Sequence, residues 1–497
     1  MRSLNLPPLP FGERAGERGK VRAELMRSRR ASTPLPTLSP QGRGLFWFFG
    51  VAVAVCLTGC AGPRPVVPAA AAVTAPAGWR TAFATSTPVT AGWWRGFGDP
   101  VLTGLVERAL AGNIDLNVAV TRIAEARANE RLARAALLPT LTLSGSIAEQ
   151  RTVNSIGVGA TGLAGQPGVQ AAYEVDLFGR LGTLTRAARA DLLASQAARD
   201  TTALAVAATT ASGYITLRAL DARLQTTRDT LAARDEALRL AQRRALTGYT
   251  SMLELRQAEA EYQAAAQLVP QVELAISRQE NALSVLTGGV PGPIARGRTL
   301  AQLTLPTIPS ELPSALLRRR PDIAAAEYRL ASADLTLSAA RALFLPRLNL
   351  AGTAGLALSS LLPEPVTLFS LGGSVLAPIF DGGRIRAGAD AAAARRDAAA
   401  FAYRGAALTA FREVDDSLAG VRRSGEQAAD VVLQRAAVAE ALRLAENRYR
   451  AGYASYIEQL DAQRGLLTAD LTLIQSRTDQ LTALVTLYQA LGGGWGG

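Results

Sequence analysis

The chain has no histidine, and among its 53 Lys and Arg side chains the only lysine is Lys20. Its two cysteines are Cys56 and Cys60, and removal of the leader described below leaves Cys60 alone. These absences take away the commonest general base, the Schiff-base amine and the thiol nucleophile. They also remove nearly every soft metal ligand. Enzymes can be built from Asp, Glu, Ser and Tyr alone, but no nucleophile–base pair and no metal-ligand cluster is visible in what remains, so no catalytic residue, metal ligand or cofactor is assigned. Aromatic residues make up 5% of the chain, and no basic block interleaves with them. That pattern argues against nucleic acid as a partner. The net charge of +12 is uneven: residues 1–59 hold nine basic and three acidic side chains, about half of the excess. Elsewhere arginine alternates with Glu and Asp along helical stretches, as on solvated faces.

What is present begins with an address. Residues 45–57 form one apolar run preceded by Arg43. At about thirteen residues it is a signal-peptide core and too short to span a bilayer as a helix. The run ends in Leu57-Thr58-Gly59-Cys60, which resembles the bacterial lipobox and implies cleavage before Cys60 and acylation of its new N-terminus. Acyl chains there anchor a protein to a membrane. Ala61 in place of an acid implies sorting to the outer membrane. Residues 1–59 are therefore expected to be removed. Within them, 1–42 fit no signal peptide, and a misassigned start is expected, with a disordered extension as the alternative. Residues 60–92, rich in Ala, Pro, Thr and Val, read as the acylated Cys and an extended tether.

The body is one unit written twice, 93–289 and 312–497, joined by a proline-rich link, 290–311. Leu138-Pro139-Thr140-Leu141 corresponds to Leu345-Pro346-Arg347-Leu348, Asp176 to Asp381, and Thr247-Gly248-Tyr249 to Ala451-Gly452-Tyr453. Each copy reads helix, strand, strand, long helix, turn, helix, a mainly α fold with a small β part. The expected helices are about 101–136, 184–246 and 251–286, then about 313–343, 385–449 and 455–491. The expected strands are about 140–148 and 169–177, then about 347–358 and 371–380. In 140–148 the residues Leu141, Leu143, Gly145 and Ile147 alternate with Thr140, Thr142, Ser144 and Ser146. Alternation over about nine residues is the length and pattern of a membrane-spanning strand, although a half-buried soluble strand has the same period. The return helices carry heptad rows, Leu255-Tyr262-Val269-Ile276-Leu283 and Leu460-Leu467-Ile474-Leu481-Tyr488, the mark of coiled-coil packing. Pro270 is expected to kink the first of them.

Four strands cannot close a barrel, and an open edge in lipid leaves backbone groups unpaired at several kcal/mol each. The chain must pool strands with copies of itself, giving eight with two copies or twelve with three.

Arg319-Arg320-Pro321-Asp322-Ile323, Tyr173-Glu174-Val175-Asp176-Leu177-Phe178-Gly179-Arg180, the Asn281–Gly289 stretch and Leu491-Gly492-Gly493-Gly494-Trp495 resemble the TolC-like outer-membrane efflux channels, in the lipoprotein branch that serves RND-type multidrug pumps. The resemblance covers about residues 90–497. It implies a homotrimer with a twelve-stranded outer-membrane β-barrel, continuous with a long periplasmic α-helical coiled-coil tunnel. It also implies passive conduction of exported solutes, with a periplasmic adaptor and an inner-membrane RND-type transporter as partners.

A duct that is always open leaks, so the residues of interest lie at the two helix turns. Gly248 and Gly452 suit the left-handed residue that ends a helix. Ser251 with Glu254, and Ser455 with Glu458, have capping-box spacing. In an oligomer each acid also recurs around the axis as a ring of charge at a narrow mouth, which favours cations. By resemblance, Glu254, Glu458 and Asp461 contribute to the closed mouth and Tyr449 to its bond network. The basic partner of that network falls at Ala454 here, leaving Arg448 or Arg450 to substitute. For Asp461 a plain helical pairing with Arg464 stands beside the functional reading. A periplasmic adaptor, which has a single hairpin, and a pore-less coiled-coil lipoprotein are the rival classes, with an enzyme the third and weakest.

Overall fold

The computed structural model describes residues 63–81, 89–153, 156–309 and 313–494. The chain divides after Cys60, and the unit Ala61–Gly497 is described here by itself. Cys60 and the leader lie outside the described residues.

The first copy contains α1 (Pro100–Gly112), α2 (Ile114–Ala135), β1 (Thr140–Ser144), β2 (Ile147–Val153), β3 (Gly159–Gly165), β4 (Gly168–Val175), α3 (Arg180–Leu246), α4 (Met252–Ala266) and α5 (Leu268–Leu286). The second contains α6 (Pro313–Arg319), α7 (Pro321–Ala342), β5 (Arg347–Ser359), β6 (Val366–Leu376), α8 (Arg384–Arg450) and α9 (Tyr456–Ala490). Helices α3 and α8 each have 67 residues, roughly 100 Å at 1.5 Å per residue.

Three expected helices are broken, each for a local reason. The helix expected at 101–136 divides at Asn113, whose backbone is extended. Its side-chain oxygen accepts from the Asp115 and Leu116 amides at 2.9 and 3.2 Å, so Asn113 caps a new helix rather than continuing the old one. The helix expected at 313–343 divides at Arg320, because a residue before proline is pushed out of the helical region and Pro321 then opens α7. The return helix expected at 251–286 breaks at Gln267. Pro270 has no N–H for the carbonyl of Ala266, and the ladder fails one turn before the proline.

The strands differ from expectation too. Those expected at 140–148 and 169–177 extend to β2 and from β3, with breaks at Gly145-Ser146 and Gln166-Pro167, and the one expected at 371–380 is Val366–Leu376. The six strands form four spans in one antiparallel sheet, with β4 between β1 and β5, and β6 beside β5. The register lines up one apolar row. Leu141 and Leu143 face Ala171 and Val169. Tyr173 and Val169 face Leu350 and Ala354, and Leu350, Gly352 and Ala354 face Gly373, Leu371 and Phe369. The opposite face carries Thr140 and Thr142, then Thr353 and Ser370, whose hydroxyls lie 2.7 Å apart. Among the described residues no helix packs on either face, and Leu143, Phe369 and Leu371 are exposed.

The two copies interleave below the sheet. Helix α3 packs against α2, α7 and α9, and α8 against α7 and α9. The core sits at the middle of the long helices, where Trp93, Phe97, Leu102, Tyr214, Phe411, Val414, Leu481 and Tyr488 pack together. Part of α3 is apolar enough for a membrane helix, but 61% of that stretch is buried within the body. The link is fastened there by Asp99, which accepts from the Tyr214 hydroxyl at 2.9 Å and the Arg298 amide at 2.8 Å. A Cβ at Gly297 would lie 2.1 Å from the Asp99 carboxylate, so only glycine permits this approach.

The expected tether is not free over its described part. Residues 63–80 lie against α7 and α8 through Arg64–Asp334 at 2.6 Å and the Arg80 amide on Asp415 at 3.0 Å.

Candidate functional site

The two hairpin turns are built alike. Gly248 and Gly452 have φ of 72° and 78°, the left-handed conformation that ends α3 and α8. The amides of Tyr249 and Tyr453 then donate back to the carbonyls of Arg244 and Arg448 at 2.9 and 2.8 Å. The helix starts differ. Ser251 accepts from the Glu254 amide at 3.3 Å, as a cap does, while the Glu254 carboxylate takes the Thr250 hydroxyl instead of closing the box. Ser455 makes no side-chain cap; its carbonyl accepts the Glu458 amide at 3.2 Å.

Tyr449 is tied to the first hairpin. Arg244 donates to its hydroxyl oxygen at 3.1 Å and lies 5.5 Å from its ring centroid, a cation–π distance. The ring also packs 5.8 Å from Tyr456. Burial, and then the charge of Glu254, push the Tyr449 phenol up, against the opposing pull of Arg244. Tyr456 is pushed up chiefly by burial. Beneath them Tyr456, Leu460 and Ala258 form a small apolar cluster flanked by Leu238 and Ala241.

About two turns further from the tip lies a link that the sequence did not indicate. Arg234 on α3 has a side chain only 5% exposed and pairs with Glu261 on α4 at 3.5 Å. It also donates to the Gln463 side chain on α9. Arg464 on α9 donates to the same Glu261, through Nε at 2.9 Å. Glu261 thus sits between two guanidiniums from different hairpins. Burial lowers the pKa of Arg234, and the bond to Glu261 raises that of Arg464. A signal existed in the spacing. Arg234 is one heptad from buried Thr227, and Glu261 lies between buried Ala258 and Ala265. A charge at a seam position requires an opposite charge from the facing helix.

The remaining expected site residues are more open. Glu458 lies 3.8 Å from Arg448, so of the two candidate substitutes Arg448 is the one placed beside a tip acid, and Arg450 turns to Glu446 at 3.5 Å. Asp461 is exposed and the expected pairing with Arg464 is not made as a bond, because Arg464 is given to Glu261. Tyr249, Met252 and Leu253 on one turn, and Tyr453 and Ile457 on the other, are exposed.

A membrane-type sheet open on both faces, two copies of a long helical hairpin, and a polar network where the hairpins end define a channel-forming protein. The family described as outer membrane efflux protein matches residues 105–289 and 312–493, and the chain belongs to it. It is 37% identical over 419 residues to the probable efflux pump outer membrane protein TtgC of Pseudomonas putida, covering 81% of this chain and 85% of that one. It is 36% identical over 421 residues to the outer membrane protein OprJ of Pseudomonas aeruginosa, covering 81% and 86%. The open-state structure of the MtrE outer membrane channel of Neisseria gonorrhoeae superposes with a TM-score of 0.77 at 29% identity, over 87% of this chain and 98% of that one. The protein is thus an outer-membrane channel component of an efflux system, in a family of channels rather than enzymes.

Proposed function

We propose that three copies join edge to edge into a twelve-stranded barrel, and that their hairpins continue it as a periplasmic tunnel closed at the turns. The observation that carries this is the pair of open edges: among the described strands, β1 pairs only with β4, and β6 only with β5. Backbone groups on an edge in lipid have no water to satisfy them, so the edges must be paired by neighbours. Two copies make eight spans, and an eight-stranded barrel is filled by its own side chains. Three copies are the smallest number that leaves a passage. The apolar row of Leu143, Leu371 and Phe369 then faces lipid, and the hydroxyl row of Thr140, Thr142, Thr353 and Ser370 faces the lumen.

In this reading Cys60 carries the covalent lipid, and the duct conducts passively. Its driving energy comes from an inner-membrane transporter of the RND type, reached through a periplasmic adaptor. The exposed Tyr249, Met252, Leu253, Tyr453 and Ile457 offer the adaptor apolar purchase at the turns. Arg244–Tyr449 and the Arg234–Glu261–Arg464 cluster hold the two hairpins of a subunit together and keep the mouth narrow, while Glu458 and Asp461 form its acidic rings. Subunit counting by crosslinking of purified protein, together with conductance in a planar bilayer, tests the proposal. Three subunits and an ohmic pore are expected; a monomer, or no current, defeats it.

A further inference from the structure

Among the described residues six buried side-chain atoms meet no hydrogen-bond partner, and two of them share one turn of α9 at the tip: the Tyr456 hydroxyl and Oε1 of Gln459. Tyr456 is 6% exposed. Its ring fills the apolar cluster between the hairpins, against Ala258 on α4, Leu460 on α9, and Leu238 and Ala241 on α3. The hydroxyl does not lack polar neighbours. Burial raises its pKa most, Arg234 pulls the other way, and Glu261, Tyr449 and Glu254 add to the rise. Each of these groups is engaged elsewhere. Glu261 takes Arg234 and Arg464, Glu254 takes the Thr250 hydroxyl, and Tyr449 takes Arg244. Arg234 also donates to Gln463. The Tyr456 hydroxyl is left with none of them.

A phenylalanine would fill the same cluster and carry no polar atom. A polar group buried without a partner destabilises the state that buries it. The Tyr456 oxygen therefore weakens the arrangement in which it is found and adds nothing to the packing of the ring. This cost is local. It falls on the seam where α4 and α9 meet, and it ends when that seam parts and water reaches the hydroxyl. The bonds of Arg244 to Tyr449 and of Arg464 to Glu261 act in the other direction, because they are made only while the two hairpins are together. The tip thus holds attractive pairs and unpaired atoms side by side, within two turns of α9.

We propose that Tyr456, with Gln459 beside it, is a counterweight to those bonds: its unpaired hydroxyl, set between the hairpins, destabilises the narrow tip, so that a small load from a partner at the turns opens it. Tyr456 is a positioning residue of the mouth. It acts through the approach of α4 to α9 and not through contact with the solute. This rests on the reading of the two turns as the mouth of a duct.

The test is single-channel recording of the purified full-length protein in planar bilayers, wild type against Tyr456→Phe, with thermal unfolding of both. The ring is kept, so a residue that only packs gives no change. At the usual cost of one unpaired buried hydroxyl, the ratio of open to closed tips is expected to fall about five-fold or more, with unfolding at an equal or higher temperature. Tyr449→Phe, which removes a bond and not an unpaired atom, is expected to move the ratio the other way. Gln459→Leu removes the second unpaired atom, is expected to act in the same direction as Tyr456→Phe, and decides the matter if Tyr456→Phe does not assemble. A wild-type channel that opens and closes, with an unchanged or raised ratio in Tyr456→Phe, overturns the counterweight alone. A wild-type protein that carries no current defeats the duct reading, and the counterweight falls with it.

Discussion

The guanidinium of Arg244 holds the hydroxyl oxygen of Tyr449 at 3.1 Å, joining the end of the first long helix to the end of the second, 205 residues away in sequence. Each is in the last turn or two of its helix, so the bond ties the two hairpins where they reverse. Tyr449→Phe keeps the ring under Arg244 and removes only the oxygen. The loss of one partly exposed bond to a charged donor is about 1 kcal/mol, about five-fold in the ratio of closed to open tips. A higher open probability in planar bilayers, with unchanged thermal stability, is the expected result. An unaltered current trace counts against a lock at this pair.

Glu261 stands between Arg234 and Arg464, and its neutralisation leaves two guanidiniums facing each other across the hairpins. Glu261→Gln is expected to cost about 3 kcal/mol, since breaking a buried pair strands an uncompensated charge. Arg464→Ala, which removes the more exposed partner, should cost well under half of that. Thermal unfolding of the assembled protein checks the order, and equal losses would mean that burial of Arg234 is irrelevant.

Glu458 and Asp461 are exposed at the turn, and Glu458 is only loosely engaged, 3.8 Å from Arg448. Replacing both acids by their amides should leave stability within about 0.5 kcal/mol, as for surface changes. Reversal potentials in a salt gradient should move toward zero as the acidic ring is lost. Unmoved potentials place the selectivity elsewhere.

The Tyr214 phenol is pushed up to about 12 by burial, with Asp99 adding to the rise. Its pKa is raised above the unfolded value, so its contribution is complete below about pH 10 and is lost as pH rises through 12. Stability should therefore fall steeply between pH 10 and 12. Tyr214→Phe should be less stable at neutral pH, because the buried Asp99 loses a donor, and flatter over that alkaline window. Denaturant midpoints across the range test the sign.

Much of the fold was legible because its signals are local. Gly248 and Gly452 mark the turns, since a left-handed residue after a long helix is a nearly glycine-only position. Pro321 was legible as a first-turn proline, but the reading ran one helix over about 313–343, and the break that it makes at Arg320 appears only in the fold. The heptad rows of the return helices announced the packed faces that Ile276, Leu283, Leu481 and Tyr488 occupy in the core. Asn113 was not legible as a helix break, since one asparagine in a helical pattern is unremarkable until its side chain finds the Leu286 carbonyl, 2.9 Å away. Of the outer strands, only Ile147 and Ala148 fall in an expected strand, and Gly159–Gly165 falls in none. Glu149 and Arg151 in β2, and the five Gly and Ala residues of β3, interrupt the alternation there, and pairing between β2 and β3 carries the strands through it. Near the tip, Arg448 was a candidate partner in the sequence and lies 3.8 Å from Glu458, but the cluster around Glu261 had no such reading. Glu261 and Arg234 look like ordinary helix charges until α9 brings Gln463 and Arg464 against them.

The sequence by itself determined the repeated unit, the order of its elements, the glycine turns that end the two long helices, and the small number of strands. Those follow from period, glycine and proline chemistry, and strand count, all of which act over a few residues. Only the tertiary structure decided that Arg244 meets Tyr449, that Glu261 is shared by two hairpins, and that Arg396 closes over Pro65 and Val66. Such pairings depend on the relative register of helices about 200 residues apart, and a local pattern contains no information about which of several equivalent charges will face one another across the seam.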